Sequence, residues 1–311
     1  LAVLYMLERR LLIIAMVAIW LGVFAAVLEL GHQTIEVSQL FGYGTAAAVA
    51  SVLSWIELRR LAAKTPAYAR SERLPRFPVL FVGAAPYFVY GLLYFGLLFG
   101  DRVVSWSTSP PPGFLLSFSR PYELSLDWAI VSLVLTVAVL EYTINELGAL
   151  IEPTQKRFTG SRLRDHNRAF MRFYVRQLVL FATVAVISGV GVYALVAKAH
   201  IFDGLPAIHA LVEDKVTDAV FYRAALAYGL LAFGLMNAVV LFFLSRPRGP
   251  LLGLTAGIAA VVVVGGVLSR THEPWWAVYG LLAGTAAFAA CTAFATLRVV
   301  RRMDYFYYAA Y

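Results

Sequence analysis

Several acidic and basic residues of this chain sit inside apolar runs, where a charge is costly and kept for a reason. In YGLLYFGLLFGDRVVSWS (residues 90–107), Asp101 and Arg102 stand side by side, with apolar residues on both sides. Helical spacing puts Tyr87, Tyr90, Tyr94, Asp101 and Ser105 on one face. Tyrosine offers flat apolar area and a hydroxyl, which suits sugar rings and polar interiors. Such a face either lines a cavity or forms an interfacial belt. In the next apolar run, Asp127, Glu141, Asn145 and Gly148 share a face. Glu141 lies about 20 Å inward from Asp127 at the helical rise per residue, within a hydrocarbon core about 30 Å thick. A glutamate cannot snorkel as lysine and arginine do. It must face protein or a polar cavity, or be protonated. Two roles remain open for it: a buried structural hydrogen bond, or a substrate or proton site. Later in the chain Arg223, Gly234 and Asn237 share a face, with Arg223 placed as an interfacial anchor near the outer end.

The elements that must position these residues are long apolar helices. The chain has 311 residues, of which 61% are hydrophobic and only 14% charged. A soluble domain is about 45–50% apolar and about 25% charged. The fold class is therefore an all-α polytopic membrane protein. Eight transmembrane helices are expected, at Leu11–Leu30, Leu40–Ile56, Val79–Trp106, Trp128–Ile151, Gln177–Val196, Val220–Leu244, Leu251–Leu268 and Trp275–Leu297. The runs lack the ten-residue alternation of a membrane barrel. Pro86 is expected to bend the third span. Gly253-Leu-Thr-Ala-Gly257 and Gly280-Leu-Leu-Ala-Gly284 are GxxxG patterns, read here as close packing within the bundle.

The basic residues orient the spans. The net charge is +8, and 20 of the 26 Lys and Arg fall on alternate sides of the eight-span layout. The opposite side holds Arg102, Arg120, Lys198, Lys215, Arg223 and Arg270. The positive-inside rule makes the Arg-rich side, and the C-terminus, cytoplasmic. The positive charge is thus a topology signal, with anionic lipids as partner and no role for nucleic acid. Residues 57–77 are polar and basic and end near Pro75 and Pro78, as a cytoplasmic linker would. Residues 152–176 place Phe170, Phe173 and Tyr174 among arginines, as an interfacial helix does. On the outer side, Ser107–Pro121 contains SPPPG and reads as an irregular loop. Leu205–Asp218 has the pattern of a short amphipathic surface helix.

Soluble-enzyme signatures are absent: there is no P-loop and no HExxH. The five histidines are scattered over expected loops, and Cys291, in an apolar run, is expected to be a small buried core residue. No cofactor, metal or enzymatic activity is expected.

AAPYFVYGLLYFGLLFGDRVVSWS (84–107), PYELSLDWAIVSL (121–133) and the pair Glu141-Tyr142 together resemble the Pel exopolysaccharide inner-membrane transporter family, within the MOP flippase superfamily that also contains MATE exporters. The likeness covers roughly residues 78–151; elsewhere it extends only to hydropathy and span layout. It implies two six-helix bundles joined by a cytoplasmic connection. Residues 1–56 would then be the last two helices of a first bundle whose earlier part is missing. Residues 57–77 would be the connection, 78–304 a complete six-helix bundle, and 305–311 a cytoplasmic tail. An eight-helix chain by itself departs from that pattern, because it cannot form the two-bundle cavity. The resemblance further implies a bacterial inner-membrane location and export of an exopolysaccharide or its precursor by alternating access. Its partners would be a cytosolic glycosyltransferase and small membrane subunits of a secretion complex. Tyr90, Tyr94, Asp101, Arg102, Asp127, Glu141 and Tyr142 are the motif positions that carry over.

Three other readings stay open. A cation-coupled small-molecule exporter of MATE type would use Asp101 and Glu141 as coupling-ion sites. A non-transporting scaffold would dock an enzyme on residues 152–176. An integral-membrane glycosyltransferase would need an acidic site at a membrane face, for which Glu36 is the one weak candidate.

Overall fold

The computed structural model describes residues 10–29, 35–64, 77–108, 119–157, 163–198, 214–302 and 305. It divides into two compact units, Leu1–Arg76 and Phe77–Tyr311. Among the described residues there is no strand.

The first unit is a helical hairpin of α1 (Arg10–Glu29) and α2 (Ile35–Lys64). A Cβ at Gly42 would stand 2.8 Å from the Trp20 ring, so the missing side chain lets the two helices meet there. Trp20 also stacks on Tyr43, ring centres 5.1 Å apart. The expected end of this span at Ile56 is not observed, since α2 runs on to Lys64. Leu, Glu, Arg and Ala in that stretch are good helix formers. Glu57 is buried and bonds Arg60 at 3.0 Å one turn on, which supports the extension. Part of the expected linker is thus helix, and residues 65–76 lie outside the described residues.

The second unit contains α3 (Phe77–Thr108), α4 (Arg120–Arg157), α5 (Leu163–Lys198) and α6 (Lys215–Phe243). It continues with α7 (Arg248–Ala260), a π-helical turn at Val261–Gly265, and α8 (Gly266–Thr271). A 3-10 turn at Pro274–Trp276 leads into α9 (Ala277–Val300). Helix α6 is central and packs on α4 and α9, while α7 packs between α3 and α9. Its buried stripe of Ala224, Ala227, Leu231 and Ala232 is mostly small, which lets neighbouring helices come close.

Six of the described helical stretches are long and apolar enough to cross a membrane: Leu40–Arg60, Phe81–Thr108, Asn167–Leu195, Lys215–Phe243, Arg248–Thr271 and Pro274–Val300. The other two expected spans are helices, α1 and α4, but do not stand among these six. In α1 the apolar stretch is the shorter Ala18–Val27. The outside of the bundle is as apolar as its inside. Phe88 is 73% exposed and Val82 70%. A surface of that kind is a liability in water and ordinary against lipid. The chain is accordingly a multi-pass membrane protein.

Two expectations are corrected by packing. Residues 152–176 do not form a separate interfacial helix: α4 continues to Arg157 and α5 starts at Leu163. Phe170, Phe173 and Tyr174 point into the core rather than toward a membrane surface. Cys291 is exposed on the outward side of α9, not buried. The amphipathic helix expected over 205–218 falls outside the described residues up to 213, and from Lys215 the chain already belongs to α6.

The two GxxxG patterns pack on each other. A Cβ at Gly257 would stand 2.8 Å from the Gly284 carbonyl oxygen, and one at Gly284 would stand 2.7 Å from the Gly257 oxygen. A Cβ at Gly280 would meet Gly265 Cα in the π-turn at 2.6 Å. The widened π-turn therefore lies directly on α9, backbone to backbone. Gly284→Val is expected to destabilise the chain by about 1–3 kcal/mol through overpacking. Gly229→Ala, with open space around it, is expected to be neutral. Thermal unfolding of the purified protein in detergent measures both. An unchanged Gly284→Val variant would show that α7 and α9 do not approach in this way.

Candidate functional site

The last turns of α3 and the first turns of α4 run side by side. Asp101 and Ser105, four apart on α3, share a buried face. Arg102 and Trp106, also four apart, form the adjacent stripe. On α4, Glu123 and Asp127 are one turn apart and face that stripe. Arg102 reaches both: Nη1 donates to Glu123 Oε2 at 2.5 Å, and Nη2 to Asp127 Oδ1 at 2.7 Å. Trp106 Nε1 donates to the other Glu123 oxygen at 2.8 Å. Asp101 does not pair with Arg102 side chain to side chain; it accepts the Tyr122 hydroxyl at 2.7 Å.

Burial grades across this clasp. Asp101 and Tyr122 are fully buried, the Arg102 and Glu123 side chains are 13% exposed, and Asp127 is 62% exposed. The Tyr228 hydroxyl of α6 lies beside Asp101 and Arg102, where it adds a polar neighbour without a hydrogen bond in good geometry. Asp101 Oδ1 and Arg102 Nε likewise lack a hydrogen-bond partner. Burial pushes the Glu123 carboxyl above its ordinary range, against the opposing pull of Arg102 and Trp106. With one guanidinium against Asp101, Glu123 and Asp127, the cluster carries an excess of carboxylate. A buried group of that composition can hold a proton or a cation, or it can simply lock two helices together.

Of the residues singled out in the sequence, the structure brings Asp101, Arg102 and Asp127 together. Asp127 is thus a clasp member while remaining largely exposed to solvent. Tyr122 and Glu123 were missed. Their signal was present: Glu123 and Asp127 repeat at the same four-residue spacing as Arg102 and Trp106, on the other side of the SPPPG segment. The tyrosine face is divided. Tyr90 and Tyr94 pack against the core, with Tyr90 edge-on to Phe242 at 4.6 Å, while Tyr87 is 46% exposed. Glu141, Tyr142 and Asn145 lie on an exposed stripe of α4, remote along the helix from the clasp. Glu141 therefore faces out of the second unit's bundle, not into it.

Arg223 and Asn237 belong to two further clusters. Arg223 Nε donates to the Tyr279 hydroxyl at 2.7 Å, and Nη1 to the Ala219 carbonyl. The guanidinium lies 5.0 Å from the Tyr279 ring centre and 5.9 Å from that of Trp275. This is an aromatic anchor of the interfacial kind expected. At the arginine-rich end, Asn237 Oδ1 accepts the Tyr174 hydroxyl at 2.7 Å, and its backbone oxygen accepts Thr296 at 3.3 Å. Asn237 thus joins α5, α6 and α9. Arg176 bonds Glu146 at 2.6 Å nearby on α5 and α4. Among the described residues, no group of three or more His, Cys, Asp or Glu converges as metal ligands.

The clasp predicts coupling between its members. Arg102→Gln is expected to destabilise by about 3 kcal/mol, because two carboxylates lose their shared partner. In the double variant with Glu123→Gln, part of that loss is recovered, with a coupling of about 1–3 kcal/mol. Denaturant unfolding of the four proteins gives the cycle, and strict additivity would show that the pair does not interact.

Comparison with known proteins returns no match: no protein-family model, no curated protein and no solved structure matches the chain.

Proposed function

We propose that the protein is an inner-membrane transporter that exports an exopolysaccharide or its precursor by alternating access. The observation that carries the reading is the charge clasp within a lipid-facing bundle. Asp101, wholly buried, and Arg102, with its side chain 13% exposed, are expensive in that setting, and three helices converge on them. The resemblance of residues 84–107 and 121–133 to the Pel transporter family falls on these same residues and supplies the substrate class. In this reading the chain has eight spans in a MOP-like arrangement. Residues 78–304 form its complete six-helix bundle, with the arginine-rich loops cytoplasmic. A cytosolic glycosyltransferase delivers the growing polymer, and movement about the clasp opens the path to either side.

One feature favours a second reading, the cation-coupled exporter. Asp101 Oδ1 is buried without a hydrogen-bond donor, inside a cluster with excess carboxylate. In that case Asp101 binds the coupling proton or sodium.

The test is complementation in a polysaccharide-secreting bacterium that lacks its own inner-membrane transporter. Asp101→Asn and Arg102→Gln are expected to lower secreted polysaccharide at least about tenfold, or about 1.4 kcal/mol of barrier. Membrane protein levels are measured alongside. Glu141→Gln, on the outward stripe, is expected to have a smaller effect. Normal export from both clasp variants removes the clasp from the transport path and leaves a scaffold role. Failure of the unaltered chain to restore secretion overturns the polysaccharide reading. An effect of external sodium or pH on export that Asp101→Asn abolishes selects the coupled mechanism.

A further inference from the structure

At the arginine-rich end, the chain turns from α6 into α7 through Ser245, whose φ of 55° is in the left-handed region. Such a conformation is unfavourable for a residue with a side chain and persists where its surroundings hold it. Here the turn is fixed by Ser245 N–H donating to the Phe242 carbonyl at 2.9 Å and Arg246 N–H to the Leu241 carbonyl at 2.8 Å. Four residues after Ser245, Gly249 lets the start of α7 press against its neighbours. A Cβ there would stand 3.0 Å from Ala295 Cβ and 3.1 Å from Leu241 Cδ1. The tight turn and the close approach bring Arg246 and Arg248 to the same cavity as Arg298 of α9.

That cavity has a volume of about 640 Å³ and opens to the outside. Its lining is graded. Leu241, Phe294, Ala295 and Val299 make an apolar wall, and Ser245 and the three arginines form the polar part. Among the described residues, none that lines it is acidic. Three guanidinium groups at one opening offer a phosphate several charge-assisted donors at once. The level in the membrane is also defined. The spans Lys215–Phe243, Arg248–Thr271 and Pro274–Val300 all begin or end here, so the arginines stand where headgroups begin and the apolar wall where acyl chains begin. Arg301 and Arg302 follow, exposed, on the next turn.

We propose that this cavity is a specific site for the phosphate headgroup of an anionic membrane lipid. The guanidinium groups of Arg246, Arg248 and Arg298 bind the phosphate oxygens, and the Ser245 hydroxyl is placed to donate to them. Leu241, Phe294 and Val299 receive the first methylenes of the acyl chains. Arginine suits the role because its planar fork meets two phosphate oxygens at once, and basic pockets between spans bind such headgroups. A lipid held there ties the α6–α7 turn to the end of α9 and stabilises the fold wherever the anionic lipid is present. The inference rests on the membrane reading and is independent of what the protein transports. Loss of export activity leaves it standing.

The test is lipid retention by the full chain, purified in mild detergent from nanodiscs of phosphatidylcholine containing a minority of phosphatidylglycerol. Native mass spectrometry counts the phosphatidylglycerol retained, and thermal unfolding in the two kinds of nanodisc gives the stabilisation. The unaltered protein is expected to retain the lipid and to unfold at higher temperature when it is present. Each Arg→Gln change at 246, 248 or 298 is expected to lower retention about fivefold, from about 1 kcal/mol per basic residue near the surface. Removing the same amount of charge by Arg59→Gln, Arg60→Gln and Arg168→Gln is expected to leave retention unchanged. Equal unfolding in pure phosphatidylcholine shows that a variant is folded. Arg298→Gln, at an exposed position, serves as the test if the changes at 246 and 248 do not fold. Retention that survives the cavity changes, or falls equally with the control changes, overturns the proposal. Inorganic phosphate that stabilises the detergent-solubilised protein as well as the lipid does would make this a free-anion site and overturn the lipid assignment.

Discussion

The second unit is as apolar outside as inside, so burial of apolar area cannot by itself select one helix arrangement over another. Between lipid and leucine there is little to choose. What selects the arrangement is close backbone approach and the pairing of polar groups that lipid cannot satisfy. Both are present and divided along the bundle axis. Gly257 and Gly284 hold the middle, and Gly265 and Gly280 carry the same close approach on toward the Arg102 end, so that α7, the π-turn and α9 meet nearly backbone to backbone. One end is held by the Arg102 clasp and the Arg223 anchor. The other is held by Tyr174, Asn237 and Thr296.

This division gives the two ends different capacities. The Asn237 cluster is made of neutral groups that satisfy one another, so it can rigidify without responding to pH or ions. The clasp is made of charges that do not cancel: one guanidinium bonds Glu123 and Asp127, while Asp101 is held by Tyr122 and has a buried oxygen without a hydrogen-bond partner. A site of that kind can change its proton or cation occupancy, which a neutral cluster cannot. Neighbouring Tyr122 and Tyr228 keep it polar without adding charge.

Helix existence was legible in the sequence, and the ends were less so. Each expected span falls on helical structure, the seventh on α7, the π-turn and α8 together, yet α2, α4 and α5 overrun their apolar segments by several residues. Hydropathy marks where lipid would be, whereas helix propensity and pairs such as Glu57–Arg60 decide where the helix stops. Of the site, Asp101 and Arg102 stood out because charge in an apolar run is rare. Tyr122 and Glu123 did not, because beyond the apolar run a polar residue looks like solvated loop.

The sequence by itself determined an all-helical membrane protein, the approximate places of its helices, the lopsided distribution of its arginines, and the two glycine patterns that permit close packing. These depend on composition and local spacing, which a linear chain carries in full. Tertiary structure alone decided which side of each helix is inside. Glu141 faces out and Asp101 in; Cys291 faces out and Tyr174 in. When a helix is apolar all round, periodicity has no contrast to read, and the inward face is set by the helices that come to lie against it.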